Sequence, residues 1–101
     1  MPRVIITAQV QAQIERFYQF LSERDEISAL RAVQAVYQGF LALEKHPEIG
    51  RPIEDEPWLR ERIIDFGDSG YVALYRYIKG EAEVTILTIR HQKETGYTQG
   101  R

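Results

Sequence analysis

Six cationic or potentially cationic side chains in the second half of the chain could act on phosphate. They are Arg60, Arg62, Arg76, Arg90, His91 and Lys93. Guanidinium groups bind phosphate through paired hydrogen bonds, and an interleaved tyrosine such as Tyr75 can stack on bases. The combination predicts a binding patch for a phosphate-bearing macromolecule. Arginines on strands are more often solvated or paired with acidic neighbours, here Glu61, Asp65 or Glu83.

His91 is the residue of this set that is suited to proton transfer. An imidazole titrates near neutral pH, so it can act as general acid or base on a ribose hydroxyl or a leaving group. On sequence alone, a structural role for His91 is favoured over catalysis. His46 precedes Pro47 at a predicted helix end, where an imidazole interacts favourably with the last carbonyl groups.

Other kinds of chemistry are excluded by what the sequence lacks. The chain has no cysteine, so it has no disulfide, thiolate metal site or cysteine nucleophile. Its two histidines are far apart and have no ligand-spaced acid pair beside them. It contains neither a phosphate-binding glycine loop nor a nucleophile elbow. We therefore expect no metal and no other cofactor.

The first half of the chain predicts one strand and two helices. The β-branched run Arg3 to Thr7 is typical of a short strand, and Thr7 is suited to cap the helix that follows. Apolar residues then recur at steps of three and four from Val10 to Leu21, which predicts an amphipathic helix of about four turns.

A second and longer helix is predicted by the apolar spacing from Leu30 to Leu43. Asp25 or Ser28 can cap its start. It must end near His46, because Pro47 cannot continue a helix. Two helices joined by a few residues predict a helical hairpin.

The second half of the chain predicts strands. Residues 47–58 hold three of the four prolines and indicate an ordered crossing loop rather than an element. Apolar and polar residues then alternate in three runs, which are Leu59 to Phe66, Tyr71 to Ile78 and Glu83 to Arg90. Short turns between the runs predict an antiparallel meander. Both faces of the last run are largely apolar, so we expect that strand inside the sheet.

These elements predict an α+β fold in the order β-α-α-β-β-β. The helical hairpin would cover one face of a mostly antiparallel sheet and leave the other face open for a partner. A chain of 101 residues is the size of one domain, spanning 1–101.

Charge and hydropathy bound the location and the partners. The net charge is −2 and is spread over both halves, which disfavours strong non-specific binding to nucleic acid. The N-terminal apolar run is too short for a signal peptide, and no run approaches the roughly 20 residues of a membrane span. We therefore expect a cytoplasmic protein without a membrane partner.

Short motifs in a fixed order run from about residue 4 to residue 97. They are Thr7-Ala8, Leu43-x-x-x-Pro47-x-x-Gly50-Arg51, Leu59-Arg60-Glu61, Phe66-Gly67-Asp68-Ser69-Gly70-Tyr71, Leu74-Tyr75-Arg76 and Ile89-Arg90-His91-Gln92-Lys93-Glu94-x-Gly96-Tyr97. In this order and spacing, the chain resembles the RelE/ParE superfamily of toxins from bacterial type II toxin–antitoxin systems, in particular its plasmid stabilisation branch.

The resemblance implies a toxin that a tightly bound cognate antitoxin neutralises, and the gene of that antitoxin is normally adjacent to the toxin gene. RelE-like members cut messenger RNA on the ribosome, whereas ParE-like members poison DNA gyrase without recognised catalytic residues. Under the nuclease hypothesis, the resemblance places Arg60 and Arg76 as ligands of phosphate or the transition state. His91 or Tyr97 would then be the acid/base group. The predicted binding residues beside them are Arg62, Tyr75, Arg90 and Lys93.

The chain lacks the lysine-rich helical surface of the ribosome-dependent nucleases. Its predicted helices carry only Arg16, Arg24, Arg31 and Lys45 as cations, beside Glu15, Glu23 and Glu44. This balance favours a ParE-like toxin acting on gyrase. The alternatives are a RelE-like endoribonuclease acting on ribosome-bound message and a non-toxic binding module that acts with its antitoxin as co-repressor. A homodimer and a toxin–antitoxin hetero-oligomer are both compatible with the sequence.

Overall fold

Two helices and five strands make up the part of the chain that the computed structural model describes, residues 1–93. In chain order they are β1 (Arg3–Ile6), α1 (Ala8–Ser22), α2 (Glu26–Lys45), β2 (Arg51–Ile53), β3 (Glu56–Phe66), β4 (Ser69–Arg76) and β5 (Glu83–His91).

Both helices begin at the caps that the sequence predicts. The Thr7 hydroxyl accepts a hydrogen bond from the Val10 N–H and donates one to the Ile86 carbonyl at 2.9 Å, which ties the start of α1 to β5. At the start of α2, the Asp25 carboxylate accepts hydrogen bonds from the Ile27 and Ser28 N–H groups. Each cap satisfies donors that have no partner inside the helix.

The five strands form one mixed sheet in the order β1-β5-β4-β3-β2. β1 runs parallel to β5, and the other pairs are antiparallel. β5 therefore lies inside the sheet, as predicted. Helices α1 and α2 pack on one side of the sheet, which we call the helix side, and the opposite side we call the open side.

The predicted loop over residues 47–58 is wrong in part. Arg51–Ile53 forms the edge strand β2, and β3 already begins at Glu56. A three-residue strand that contains Pro52 shows no period of two, and its pairing with β3 is set by contacts outside the segment. Proline is tolerated there because β2 is an edge strand.

The sequence predicts that side chains of β5 alternate regularly between the two sides of the sheet, but a bulge interrupts this alternation. Tyr75 pairs with Ile86 but Leu74 pairs with Thr88, so Leu87 is an extra residue. As a result, Ile86 and Ile89 both lie in the core although they are three positions apart. Bulges shift the side-chain phase of a strand in this way.

β1 pairs with β5 only as far as Ile86. Beyond that point, next to the bulge, Gln13 of α1 forms the hydrogen bonds to β5. Its amide nitrogen donates to the Thr88 hydroxyl at 2.9 Å, and its amide oxygen accepts the Ile89 N–H at 2.9 Å. Gln13 is buried, so these bonds replace water that cannot reach the site.

The core lies between the helices and the helix side of the sheet. Phe40 and Leu43 of α2 are fully buried against it, as the helical phase of Leu43 predicts. Gly39 lets α2 approach β3 closely, because a Cβ there would come within 2.7 Å of Cγ1 of Ile64. Neither described helix is both long and apolar enough to cross a membrane.

Candidate functional site

The predicted cationic patch is divided between the two sides of the sheet. Arg60 pairs across strands with Tyr75, and Arg62 pairs with Ala73, so both arginines lie on the helix side with those core residues. Strand alternation places Arg76 on the open side. The expected single patch is therefore not what the structure contains.

The remaining predicted site residues lie elsewhere. Arg90 pairs with Val72 on the open side, and its guanidinium donates to the carbonyls of His91 and Gln92. His91 pairs with Tyr71, on the helix side at the end of the sheet near the β3–β4 turn. Tyr97 lies outside the described residues.

Arg60 and Tyr75 hold the segment that follows α2. The Arg60 guanidinium donates to the carbonyl oxygens of Glu48 and Gly50, at 2.9 and 2.7 Å. The Tyr75 hydroxyl donates to the Pro47 carbonyl at 2.8 Å and accepts the Gly50 N–H at 2.9 Å. The Arg60 guanidinium and the Tyr75 hydroxyl therefore form hydrogen bonds with the backbone of the protein itself. A substrate would have to contact the same side-chain atoms.

Gly50 is required at this point because of the close approach. A Cβ on Gly50 would come within 2.6 Å of the Tyr75 hydroxyl oxygen and 2.7 Å of the Glu61 carbonyl oxygen. Burial raises the pKa of Tyr75 above its ordinary value of 10.0, although the Gly50 hydrogen bond acts in the opposite direction. Tyr75 is therefore a neutral phenol near pH 7 and cannot act as a base.

His91 and Ser69 form a pair that resembles a catalytic dyad in distance only. Nε2 of His91 lies 3.0 Å from the Ser69 hydroxyl oxygen, and Nδ1 accepts the Lys93 backbone N–H at 3.2 Å. A neutral imidazole has one donor and one acceptor nitrogen. With Nδ1 accepting the Lys93 N–H, a neutral ring donates from Nε2 to Ser69, which is opposite to the direction in which a general base acts on a serine.

A groove of about 790 Å³ opens beside this pair, between the end of α1 and the β3–β4 turn. Its walls are aromatic or apolar, formed by Phe17, Phe20, Leu21, Phe66 and Tyr71. Phe17 packs against Tyr71 with ring centroids 5.0 Å apart and ring planes tilted by 38°, and Tyr71 meets His91 edge-on at 5.6 Å. Burial raises the pKa of Tyr71 as well.

Charged groups border this groove. Arg24 lies over the Phe20 ring, 4.7 Å from its centroid, and Lys93 lines the groove together with Asp68. Apolar walls with a polar rim suit the side chains of a protein partner better than a phosphate backbone. Among residues 1–93, no three His, Asp or Glu side chains cluster as metal ligands.

Sequence reasoning did not assign roles to Ser69, Arg24 or Phe20. Ser69 shares the helix side of β4 with Tyr71, and Tyr71 pairs with His91. Knowledge of the β4–β5 register would have identified the Ser69–His91 contact, but that register depends on pairing between distant segments.

Two helices on one side of this five-stranded mixed sheet define the RelE/ParE-like class of α+β folds. A solved structure described as "Chromosomal ParDE TA system from P. aeruginosa" is similar, with a TM-score of 0.74 and 23% sequence identity. The match covers 90% of this chain and 96% of that chain.

The family itself is shown by sequence. The family model "ParE toxin of type II toxin-antitoxin system, parDE" matches residues 4–96. The chain therefore belongs to the ParE toxin family, which places it among the toxins of type II toxin–antitoxin systems. A search among curated proteins gives no significant match.

Proposed function

We propose that this toxin stops growth by protein contact with DNA gyrase in the cytoplasm, and that a cognate antitoxin neutralises it. Under this proposal the chain is not an enzyme. Arg60 and Tyr75 serve the fold, and the surfaces that remain exposed provide the contacts.

The observation that carries the proposal is that several arginines, including Arg60 and Arg76 of the predicted patch, are paired with glutamates. Four of them lie within ion-pair distance of a glutamate, as Arg3–Glu83 at 2.7 Å, Arg51–Glu61 at 2.8 Å, Arg60–Glu48 at 3.7 Å and Arg76–Glu81 at 3.1 Å. Tight binding to RNA depends on cations that face the phosphates and release counterions. Paired arginines on two sides of a sheet, in a chain of net charge −2, favour a protein target.

The open side of the sheet supports the same conclusion. Ile63 is 51% exposed there and lies diagonally across from half-buried Leu74, which pairs with Glu61. Together they give the open side a small apolar surface of the kind that protein contacts use.

A gyrase supercoiling assay with the purified toxin tests the proposal. We expect loss of supercoiling, accumulation of cleaved DNA, or both, as toxin is added in excess over gyrase. His91→Ala is the matched variant, and it should inhibit to the same extent because no proton transfer is involved. Unchanged gyrase activity at excess toxin would contradict the proposal.

Two further measurements separate the alternatives. Primer extension on translated messages reports new 5′ ends if the chain is a ribosome-dependent nuclease, and under our proposal no such ends form on induction. Expression of the chain alone should arrest growth. Normal growth would instead favour a non-toxic module that acts only with its antitoxin.

A further inference from the structure

The two edges of the sheet differ in how completely their backbone groups are hydrogen-bonded. On one edge, β1 pairs with the first half of β5. Beyond the end of β1, the Gln13 amide oxygen accepts a hydrogen bond from the Ile89 N–H. On the other edge, β2 ends its pairing with β3 at Arg51 opposite Glu61. β3 continues for five residues past that point, from Arg62 to Phe66.

The hairpin between β3 and β4 determines which backbone groups of this stretch are free. Its two-residue turn is Gly67-Asp68, with Gly67 at a φ of 60°, and Phe66 pairs with Ser69. The residues that flank such a turn bond to each other, so Phe66 and Ile64 direct their N–H and C=O groups toward β4.

Alternate residues of β3 point the other way. Glu61 faces β2, and beyond it Ile63 and Asp65 direct their N–H and C=O groups outward. No other segment within residues 1–93 pairs with them, and both residues are exposed. An unpaired strand edge of this kind is a template for an added strand.

Arg62 supplies a second, independent observation at the same edge. It makes none of the ion pairs found for Arg51 and Arg60, and its Nε is buried without a hydrogen-bond partner. The half-buried guanidinium of Arg62 therefore has no acidic partner within residues 1–93, and its terminal nitrogens can pair with a carboxylate that arrives on an added strand. Arg62 lies on the helix side of β3, next to the position that an added strand would occupy.

The open side of this edge offers an apolar position. Ile63 lies there above a depression of about 450 Å³ that Val72 and Arg90 also line. Side chains of an added strand alternate between the two sides. One of them would therefore meet Arg62, and its neighbour in sequence would meet Ile63.

We propose that the free edge of β3 at residues 63–65 receives an extended segment of the antitoxin as an added strand. This segment carries a carboxylate that pairs with Arg62 and, at the adjacent position, an apolar side chain that packs on Ile63. The inference rests on the proposed function for the identity of the partner, and it adds the place and the chemistry of the contact.

A second copy of the chain fits this edge less well. Asp65 is the one acidic residue between Arg62 and Phe66, and it lies on the open side with Ile63. Pairing of two β3 edges would therefore bring no carboxylate from this stretch to Arg62. A partner strand with its own acidic residue satisfies the guanidinium, and self-pairing does not.

Amide hydrogen exchange, resolved by residue, tests the inference on the wild-type chain. The probe is the purified product of the gene beside the toxin gene. We expect the Ile63 and Asp65 amides to exchange at least about 100-fold more slowly in the complex, because each gains an interstrand partner. The Ile64 amide, which already faces β4, should be protected in both states. A complex in which Ile63 and Asp65 exchange as in the free toxin would overturn the inference.

Two pairs of variants give an affinity test. Ile63→Pro removes an outward N–H that makes no bond to β4, whereas Ile63→Val keeps that N–H and an apolar, branched side chain. We expect binding about tenfold or more weaker for the proline variant and near wild type for the valine variant. Arg62→Gln should weaken binding about tenfold and reduce its dependence on salt, and Arg62→Lys should recover part of both.

The outcomes separate this inference from the proposed function. If the wild-type chain does not bind the product of the neighbouring gene, the proposed antitoxin fails and the assigned partner fails with it. If it binds and both variant pairs behave like wild type, only the β3 edge is wrong. Protection of Ile63 in the toxin alone, together with a dimer in sedimentation, would overturn the inference in favour of a second copy.

Discussion

The Tyr75 hydroxyl oxygen accepts a hydrogen bond from the Gly50 N–H at 2.9 Å, deep under the segment that connects α2 to β2. Tyr75 is fully buried, and its hydroxyl also donates to the Pro47 carbonyl. A tyrosine that the sequence suggested as a stacking platform is therefore a structural link between the middle of the sheet and the end of a helix.

Tyr75→Phe should destabilise the fold without changing its shape. The variant leaves a buried N–H and a carbonyl without their partner, so we expect a loss of about 1–3 kcal/mol in the free energy of unfolding. Urea denaturation measures it. Tyr18→Phe, at a half-buried position of α1, is the matched control and should change stability by less than about 0.5 kcal/mol. Equal stability of the two variants would contradict this role of Tyr75.

Gln13→Ala should lower the free energy of unfolding more than the substitution of an ordinary helical glutamine does. It removes the acceptor of the Ile89 N–H and the partner of the Thr88 hydroxyl, both at the buried bulge. We expect a loss of about 1–3 kcal/mol, measured by thermal or urea unfolding. Gln19→Ala, on the exposed face of the same helix, should stay within about 0.5 kcal/mol of wild type.

Asp25→Asn should make the free energy of unfolding depend less on pH in the acidic range. Hydrogen bonds from the Ser28 hydroxyl and the Ser28 and Ile27 N–H groups lower the pKa of Asp25 below its ordinary value of 3.8. A lowered pKa contributes stability that is present above the unfolded-state value and is lost as the pH falls through the folded-state value.

Asparagine keeps the cap but has no charge to titrate. Below about pH 4, the free energy of unfolding should therefore fall less steeply for Asp25→Asn than for wild type. Urea titrations across that range provide the measurement. Asp65→Asn, on an exposed strand position, controls for the loss of a carboxylate that caps no helix.

His91→Ala and Ser69→Ala should leave toxicity close to the wild-type level. The Nδ1 atom of His91 accepts the Lys93 N–H, and in a neutral ring this makes Nε2 a donor to Ser69 rather than an acceptor of its proton. Growth after induction, compared at equal protein level and equal melting temperature, measures the effect. A loss of toxicity in a fully folded His91→Ala variant would indicate proton transfer and favour the nuclease hypothesis over the gyrase hypothesis.

Local signals were sufficient for most of the elements. Thr7 and Asp25 cap their helices through neighbours two or three residues away, and Pro47 ends α2 by its own geometry. Such features depend on short-range chemistry, which a sequence displays directly. The three-stranded meander also follows from local turns and alternation.

Features that depend on distant pairing could not be predicted. The strand Arg51–Ile53 exists because β3 is beside it, and the bulge at Leu87 is visible only against the register of β4. The candidate site depends on the same information. The sequence grouped Arg60 with Arg76 in one patch, and only the strand register and the placement of the helices show that Arg60 lies beneath the α2–β2 connection rather than on a free surface.

The parallel pairing of β1 with β5 has a consequence for the nascent chain. Arg3 bonds to Glu83 across 80 residues of sequence, and β5 separates β1 from β4 in the sheet. While the message is being translated, β1 has no strand to pair with until β5 has been synthesised. Contacts between distant segments also form slowly. The molecule therefore gains its mixed sheet late, after nearly all of residues 1–93 have been made, and fragments released early cannot assemble it.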